Sequence, residues 1–169
     1  MTVDVTRKRV LVVVGTRPEA IKMAPVLQAL RAHEDVFEAD LALTGQHSSL
    51  VGQVLDAFDL RPRWDLEIMR DGQTLYDVAE GCLGGLRSVV GEFRPDVVLV
   101  QGDTATVFFG SLVAFFERTL VGHVEAGLRS HDKWAPYPEE VFRRLTDVVT
   151  DFHFAPTPAA ASNLLAEGV

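Results

Sequence analysis

Several short apolar runs in this chain lack the alternation of apolar and polar residues that marks a half-exposed strand. Arg9 to Val14 reads RVLVVV, and Asp96 to Gln101 reads DVVLVQ. Strands that are apolar on both faces occur where helices cover both sides of a parallel sheet. The segments between such runs carry the three-to-four-residue apolar spacing of helices. The sequence therefore predicts an α/β fold with a doubly wound, mostly parallel, Rossmann-like sheet.

The predicted elements alternate along the chain. The strands are predicted at Arg9 to Val14, Phe37 to Leu43, Asp65 to Met69 (a short edge strand), Asp96 to Gln101, Leu120 to Val124 and Phe152 to Phe154. The helices are predicted at 18–32, 48–58, 73–93, 104–118, 139–149 and 158–167. Pro25 lies inside the first helix, where its missing N–H is expected to kink the helix or begin it afresh. Residues 1–169 are expected to form one domain with a core of its own.

The composition and the absence of certain motifs argue against several classes of function. The net charge is −8 and the sequence shows no basic stripe, so nucleic-acid binding is not expected. The sequence has no apolar run long enough to span a membrane, and the N-terminal apolar run leads into Arg17 and Pro18 rather than a cleavage site. The single cysteine, Cys82, is expected to be a buried thiol. These features predict a cytoplasmic protein. Dinucleotide, Walker and metal-ligand motifs are absent from the sequence, so neither a cofactor nor a metal is expected.

Charged residues follow the predicted strands at the point where each strand ends. In an open α/β sheet, ligands bind beyond the carboxyl ends of the strands. One rim of the sheet is therefore expected to collect side chains of both signs, namely Arg17, Lys22, His47, Asp103, Glu125, Arg129, Glu139 and Arg143. Carboxylates that share a site can divide the roles of acid and base, and arginine or lysine can hold a phosphate. The rim is suited to proton transfer on a sugar.

Each of these residues also has an ordinary structural interpretation. Asp103 suits the N-cap of the helix that follows it, and Glu125 suits a solvated loop. His47 fits a loop with no special role, Lys22 an exposed helix face, and Glu139 a first helical turn where carboxylates favour the helix dipole. The joint placement of these residues on one rim favours a functional site.

Five segments closely resemble the bacterial non-hydrolysing UDP-N-acetylglucosamine 2-epimerases. They are GTRPEAIKMAP (15–25), TGQH (44–47), FRPDVVLVQGDT (93–104), VGHVEAGLRS (121–130) and PYPEE (136–140). The resemblance implies one half of a two-domain GT-B-type fold with the active site between the domains. It also implies interconversion of UDP-N-acetylglucosamine and UDP-N-acetylmannosamine by elimination and re-addition of UDP with inversion at C2. The family's second domain, which carries the nucleotide-binding site, would follow Val169.

The resemblance also implies roles for individual residues. Asp103, Glu125 and Glu139 match the family's catalytic carboxylates. The substrate-binding residues are expected to be Arg17, Lys22, Gln46, His47, Arg129 and Arg143. Gln46 and His47 match a segment at which some members bind a second, activating substrate molecule. The chain departs from the family pattern at Phe142, where asparagine is usual, and at Ala105, inside a run of threonines.

Alternative functions remain open on the sequence alone. The chain could belong to a hydrolysing 2-epimerase, which releases UDP and free N-acetylmannosamine, or act as a silent binding or dimerisation module. The helix at 104–118 carries two apolar stripes, one with Val107, Phe108, Leu112 and Phe115 and the other with Phe109, Val113 and Phe116. A helix that is apolar nearly all round is usually covered nearly all round. A homodimer contact through this helix or its neighbour is therefore predicted.

Overall fold

The computed structural model describes residues 7–45 and 49–169 as a parallel sheet flanked by helices. The strands are β1 (Lys8–Val14), β2 (Phe37–Leu43), β3 (Trp64–Asp65), β4 (Val97–Gln101), β5 (Leu120–Val124) and β6 (Phe152–Phe154). The helices are α1 (Arg17–Ala32), α2 (Ser49–Ala57), α3 (Leu75–Phe93), α4 (Ala105–Phe116), α5 (Glu139–Val149) and α6 (Pro158–Glu167). The predicted alternation of strands and helices is confirmed.

The sheet has the order β3-β2-β1-β4-β5-β6, and every described pairing of strands is parallel. From β1 the chain winds outward through β2 and β3, then returns to the other side of β1 and continues through β4, β5 and β6. The register places Val10 beside both Ala39 of β2 and Val97 of β4. The winding direction therefore reverses between β1 and β4, and this reversal opens a crevice beyond the carboxyl ends of those strands. The predicted doubly wound, Rossmann-like fold is confirmed.

Alternate residues of β1 supply two separate cores, one on each face of the sheet. Leu11 and Val13 pack with apolar side chains of α3 and α4, and Val12 with those of α1 and α2. All three are at most 1% exposed. Because both faces of β1 are covered by helices, an uninterrupted apolar strand is stable there.

Two local predictions differ from the structure. The edge strand was expected at Asp65 to Met69, but β3 covers only Trp64–Asp65. Beyond β3 the chain makes isolated backbone hydrogen bonds to the end of β2 and the residue after it. Leu66 N–H donates to Leu43 O and Ile68 N–H donates to Thr44 O, each at 2.9 Å. A fresh helix start at Pro25, one of the two expected outcomes, does not occur, because α1 is one continuous helix. Pro25 and Ile21, whose carbonyl loses its helical donor, are both exposed, so water can replace the missing bond.

The second predicted helix begins, in the described residues, at Ser49. Gln46, His47 and Ser48 lie outside the described residues. In the described residues, none of the helices is long and apolar enough to cross a membrane.

Helix α4 is covered on several sides, as its double stripe predicts. It packs on the sheet and lies between α3 and α5. Phe142 of α5 stacks on Phe108 at 5.3 Å between ring centroids and meets Phe109 edge-on at 6.0 Å. The departure from the family pattern at Phe142 is therefore a packing contact with α4. At the end of the helix, Phe115 and Phe116 remain 56% and 63% exposed.

Candidate active site

A cavity of about 220 Å³ opens at the carboxyl ends of β1, β4 and β5. It lies at the switch point, where an open α/β sheet presents its ligand site. Its lining combines both charge signs with small polar residues: Thr16, Pro18, Glu19, Lys22, Gln101, Gly102, Asp103, Thr104, Glu125, Leu128 and Arg143. Four residues of the predicted rim, Lys22, Asp103, Glu125 and Arg143, thus line one cavity.

Glu125 follows the last residue of β5 and has a left-handed backbone with φ of 73°. This conformation is uncommon for a residue with a side chain, and it is found mainly where the surrounding structure imposes it. The backbone conformation of Glu125 is fixed in part by β6, because the N–H of Glu125 donates to Phe154 O at 3.0 Å. Its carboxylate accepts from Lys22 Nζ at 2.6 Å and from the side-chain amide of Gln101. The carboxylate of Glu125 is half-buried, accepts both bonds at one oxygen, Oε2, and lines the cavity.

Asp103 faces Glu125 from the end of β4. Its carboxylate pairs with Arg143 of α5, whose side chain is 13% exposed. The second nitrogen of that guanidinium lies 3.4 Å from Glu140, which is fully buried. Glu140 also accepts from the backbone N–H of Ser130 at 3.0 Å. Glu140 therefore fixes Arg143, and Arg143 fixes Asp103. The N-cap of α4 is Thr104, so the interpretation of Asp103 as a simple helix cap is wrong.

Glu19 is a carboxyl group in the cavity lining that the sequence interpretation did not select. It is 3% exposed and accepts from Gly15 N at 2.6 Å and from the Thr104 hydroxyl at 2.8 Å. Burial raises the pKa of Glu19, although these hydrogen bonds act in the opposite direction. Glu19 links the loop after β1 to the loop after β4, across the crevice.

The other predicted site residues lie around this cavity rather than in its lining. Arg17 is exposed at the start of α1, between the lining residues Thr16 and Pro18. Glu139 is half-buried at the first position of α5, next to Glu140.

Arg129 has a different environment from the one expected of a substrate-binding residue. Its guanidinium is fully buried, 2.8 Å from Asp147 and in a double contact with Glu167 at 2.8 and 2.9 Å. Burial alone would lower the pKa of Arg129, but the two carboxylates raise it above its ordinary value.

The sequence held weak signals for the residues that were missed. Glu19 stands three residues after Thr16, the spacing of a capping box, which predicts a structural carboxylate rather than one in a cavity. Glu140 has the same helix-start signal as Glu139. Gln101 reads as the polar end of an apolar strand. In each case the burial that gives the residue its importance comes from tertiary contacts, which single-sequence patterns do not show.

The arrangement is suited to proton transfer beside a charged leaving group. Two carboxylates, Asp103 and Glu125, enter one cavity from neighbouring strands, and each has a cation from a different helix beside it. Charged partners fixed in advance can stabilise charge that develops during a reaction. In the described residues, His, Cys, Asp and Glu side chains form no group of three or more that could hold a metal ion.

The sequence model of the UDP-N-acetylglucosamine 2-epimerase family matches residues 28–169. A UDP-N-acetylglucosamine 2-epimerase of Yersinia pestis is 51% identical over 161 residues, which make up 95% of this chain and 43% of the relative. Among solved structures, the UDP-GlcNAc 2-epimerase from Neisseria meningitidis bound to UDP-GlcNAc has a TM-score of 0.92 and 45% identity. The match covers 95% of this chain and 43% of that one.

A more distant structure shows the same similarity. The UDP-GlcNAc 2-epimerase from Methanocaldococcus jannaschii, in complex with UDP-GlcNAc and UDP, has a TM-score of 0.88 and 38% identity. The match covers 95% of this chain and 44% of that one. The chain thus spans less than half the length of the relatives it matches.

Proposed function

The chain belongs to the UDP-N-acetylglucosamine 2-epimerase family, and on that premise we propose that it forms the N-terminal domain of a two-domain isomerase. This enzyme interconverts UDP-N-acetylglucosamine and UDP-N-acetylmannosamine without a cofactor. The observation that carries the proposal is the pair Asp103 and Glu125, which enter one cavity at the switch point, each beside its own cation. Both solved relatives described above were crystallised with UDP-GlcNAc.

The reaction proceeds by elimination and re-addition. A carboxylate takes the proton from C2 of the sugar, the electron pair forms a C1–C2 double bond, and the C1–O bond to UDP breaks. UDP then returns to C1, and a proton is delivered to the opposite face of C2. One of Asp103 and Glu125 takes the C2 proton, and Glu139 assists from the start of α5. Each carboxylate can act as acid in one half of the reaction and base in the other.

The cations of the rim hold the substrate's charge. Lys22 extends from α1 beside Glu125, and Arg143 extends from α5 beside Asp103. Arg17 is exposed between the lining residues Thr16 and Pro18. Their positive charge suits the diphosphate that leaves and returns. Gln46 and His47 complete the proposed set of substrate-binding residues, whereas Arg129 is engaged with Asp147 and Glu167 instead.

A second domain completes the site. The cavity is partly open to solvent, whereas acid–base catalysis needs the sugar held between its catalytic groups with water excluded. The relatives are more than twice as long as this chain, which leaves room for such a domain. The chain alone is therefore expected to fold but not to turn over substrate.

Product analysis tests this proposal. The chain would be mixed with the separately produced C-terminal domain of the Yersinia pestis relative and incubated with UDP-N-acetylglucosamine. The epimerase proposal predicts UDP-N-acetylmannosamine. Free N-acetylmannosamine with UDP would instead identify a hydrolysing enzyme. If neither product formed while the native relative, cut at the same position and reassembled, remained active, the chain would be a silent module.

The proposal includes a homodimer and a cytoplasmic location. Phe115 and Phe116, at the end of α4, are 56% and 63% exposed, and Leu120, the first residue of β5, is 43% exposed. An apolar patch of this kind favours self-association. Light scattering should show a dimer that Phe115→Ser with Phe116→Ser dissociates, whereas Trp134→Ser, an equally exposed aromatic elsewhere, leaves it intact. A monomeric wild-type chain at high concentration would refute the dimer.

The unpaired Cys82 and the nucleotide-sugar substrate support the cytoplasmic location.

A further inference from the structure

The imidazole of His123 is fully buried in β5, two residues before Glu125, and the proposed reaction does not use it. Its Nδ1 lies 2.6 Å from Asp147 Oδ1, and its Nε2 lies 2.7 Å from the carbonyl oxygen of Gly102. A carbonyl oxygen can only accept a hydrogen bond, and so can an ionised carboxylate. A neutral imidazole has one N–H and could donate to only one of the two.

Asp147 is ionised in this environment. Burial on its own would raise the pKa of Asp147, but hydrogen bonds from His123 and Arg129 lower it below its ordinary value. The second carboxylate oxygen accepts from Arg129 Nη2 at 2.8 Å and from Gly127 N at 3.2 Å. Asp147 therefore acts as an acceptor towards His123, so each ring nitrogen of His123 faces an acceptor. One acceptor at each ring nitrogen is the hydrogen-bond pattern that suits a doubly protonated imidazole.

With a doubly protonated ring, each charged group around His123 has a partner of opposite sign, and the outermost carboxylate, Glu167, also lies 3.9 Å from the exposed Arg144. His123 and Arg129 are the cations, and Asp147 and Glu167 are the anions, joined in one chain of contacts. Unpaired buried charge is expensive, whereas a balanced and hydrogen-bonded set is tolerated. This network also explains the buried position of Arg129, which serves as the counter-charge on the far side of Asp147.

The bond from His123 Nε2 ends on the peptide group that leads directly into Asp103. The N–H of Gly102 donates to Val124 O at 3.0 Å, so this glycine is held from both sides. Its φ of 88° is a conformation in which few other residues are stable. Two side chains on adjacent turns of helix α5 therefore hold the segment that follows β4. Arg143 holds the Asp103 side chain directly, and Asp147 holds the Gly102 carbonyl through His123.

We propose that His123 is a positioning residue, whose doubly protonated ring fixes the Gly102–Asp103 peptide and so sets how Asp103 enters the cavity. The catalytic consequence rests on the proposed function, but the structural part does not. The side-chain nitrogen of glutamine stands about where Nε2 of histidine does, and that of asparagine about where Nδ1 does. His123→Gln therefore keeps a donor to Gly102 and loses the one to Asp147. His123→Asn does the reverse and is the matched control of similar polarity.

Nuclear magnetic resonance of the chain itself tests the structural part. In the wild type, both ring nitrogens of His123 should show proton-bearing ¹⁵N signals at neutral pH. The backbone amide signal of Asp103 should keep its position in His123→Gln and move in His123→Asn. A single protonated ring nitrogen, or Asp103 signals that move equally in both variants, would overturn the proposal. Should either variant fail to fold, the ¹⁵N signals of the wild-type ring still decide the protonation state.

The effect of His123 on catalysis is tested by the kinetics of the two-domain enzyme, assembled from this chain and a separately produced C-terminal domain. His123→Asn should lower kcat by roughly 10²-fold, the effect expected of a misplaced catalytic group, with KM nearly unchanged. His123→Gln should keep kcat within several-fold of the wild type. Equal losses of kcat that follow each variant's thermal stability would show a merely structural role. If the wild type were inactive, the proposed function would fail. The resonance signals would still test whether the His123 ring is doubly protonated and fixes the Gly102–Asp103 peptide.

Discussion

The left-handed backbone of Glu125 predicts an unusual stability difference between two variants. Glu125→Ala and Glu125→Gly both remove the carboxylate and its bonds with Lys22 and Gln101. They differ in the backbone, because alanine retains the steric strain of φ 73° and glycine does not. That strain is about 1–2 kcal/mol for a residue with a Cβ. Because the same two bonds are absent from both variants, their energies cancel when the variants are compared with each other.

The expected difference follows from two opposing terms. Relief of strain favours glycine by about 1–2 kcal/mol. The greater freedom of glycine in the unfolded chain disfavours it by roughly 0.5–1 kcal/mol. The Gly variant should therefore be more stable than the Ala variant by about 0.75 kcal/mol, the difference between the centres of the two ranges. At Glu80, an exposed position in α3, the same pair should differ in the opposite direction, with alanine more stable by about 1 kcal/mol.

Urea unfolding of the four variants, followed by circular dichroism, measures both differences on one scale. A reversal of sign between positions 125 and 80 is the predicted result. If Glu125→Ala were as stable as Glu125→Gly or more so, the backbone at Glu125 would not be strained. The reasoning that this carboxylate is retained at the expense of stability would then be refuted. Neither variant at position 125 should support turnover in the two-domain enzyme.

Two further predictions concern the carboxyl groups of the cavity. Asp103→Asn and Glu125→Gln should each lower turnover of the two-domain enzyme by at least about 10²–10⁴-fold, because each keeps the size of the side chain but cannot exchange a proton. Thermal unfolding should show little loss of stability, and near-normal turnover of Glu125→Gln would make Glu125 structural. Because burial raises the pKa of Glu19, the folded state binds its proton more tightly than the unfolded state. The stability that Glu19 contributes is therefore complete below the ordinary glutamate value of 4.5 and is lost as pH rises through the raised value. The wild-type unfolding free energy, measured relative to Glu19→Gln, should fall across that window, and a constant difference would contradict the prediction.

The fold was largely predictable because its strongest signals are local. The apolar runs of β1 and β4 identify strands covered on both faces, and the parallel order follows from their alternation with helices. The edge strand of the sheet was predicted less well. At β3, Trp64–Asp65 is the whole strand, and among the described strands it pairs with β2 alone. Whether a new helix begins at Pro25 could not be predicted either, because it depends on the exposure of Ile21 and Pro25, which tertiary packing decides.

The site was predictable only in part. The rule that ligands bind beyond strand ends brought Asp103 and Glu125 together correctly. The same rule gives no information on which way a side chain turns. Arg129, two residues beyond the end of the Glu125 turn, points into the protein and pairs with Asp147. Glu19 and Glu140 resemble ordinary helix-start residues in the sequence, and only packing shows that they are buried.

The most direct measurement is hydrogen exchange at C2 of the sugar, because removal of the C2 proton is the central claim. The chain would be incubated with UDP-N-acetylglucosamine in D₂O, with and without the separately produced C-terminal domain of the Yersinia pestis relative. Deuterium should appear at C2 only when both domains are present, and Glu125→Gln in this chain should abolish its appearance. Incorporation by the chain alone would contradict the half-site account. Epimerised product without deuterium at C2 would contradict proton removal itself.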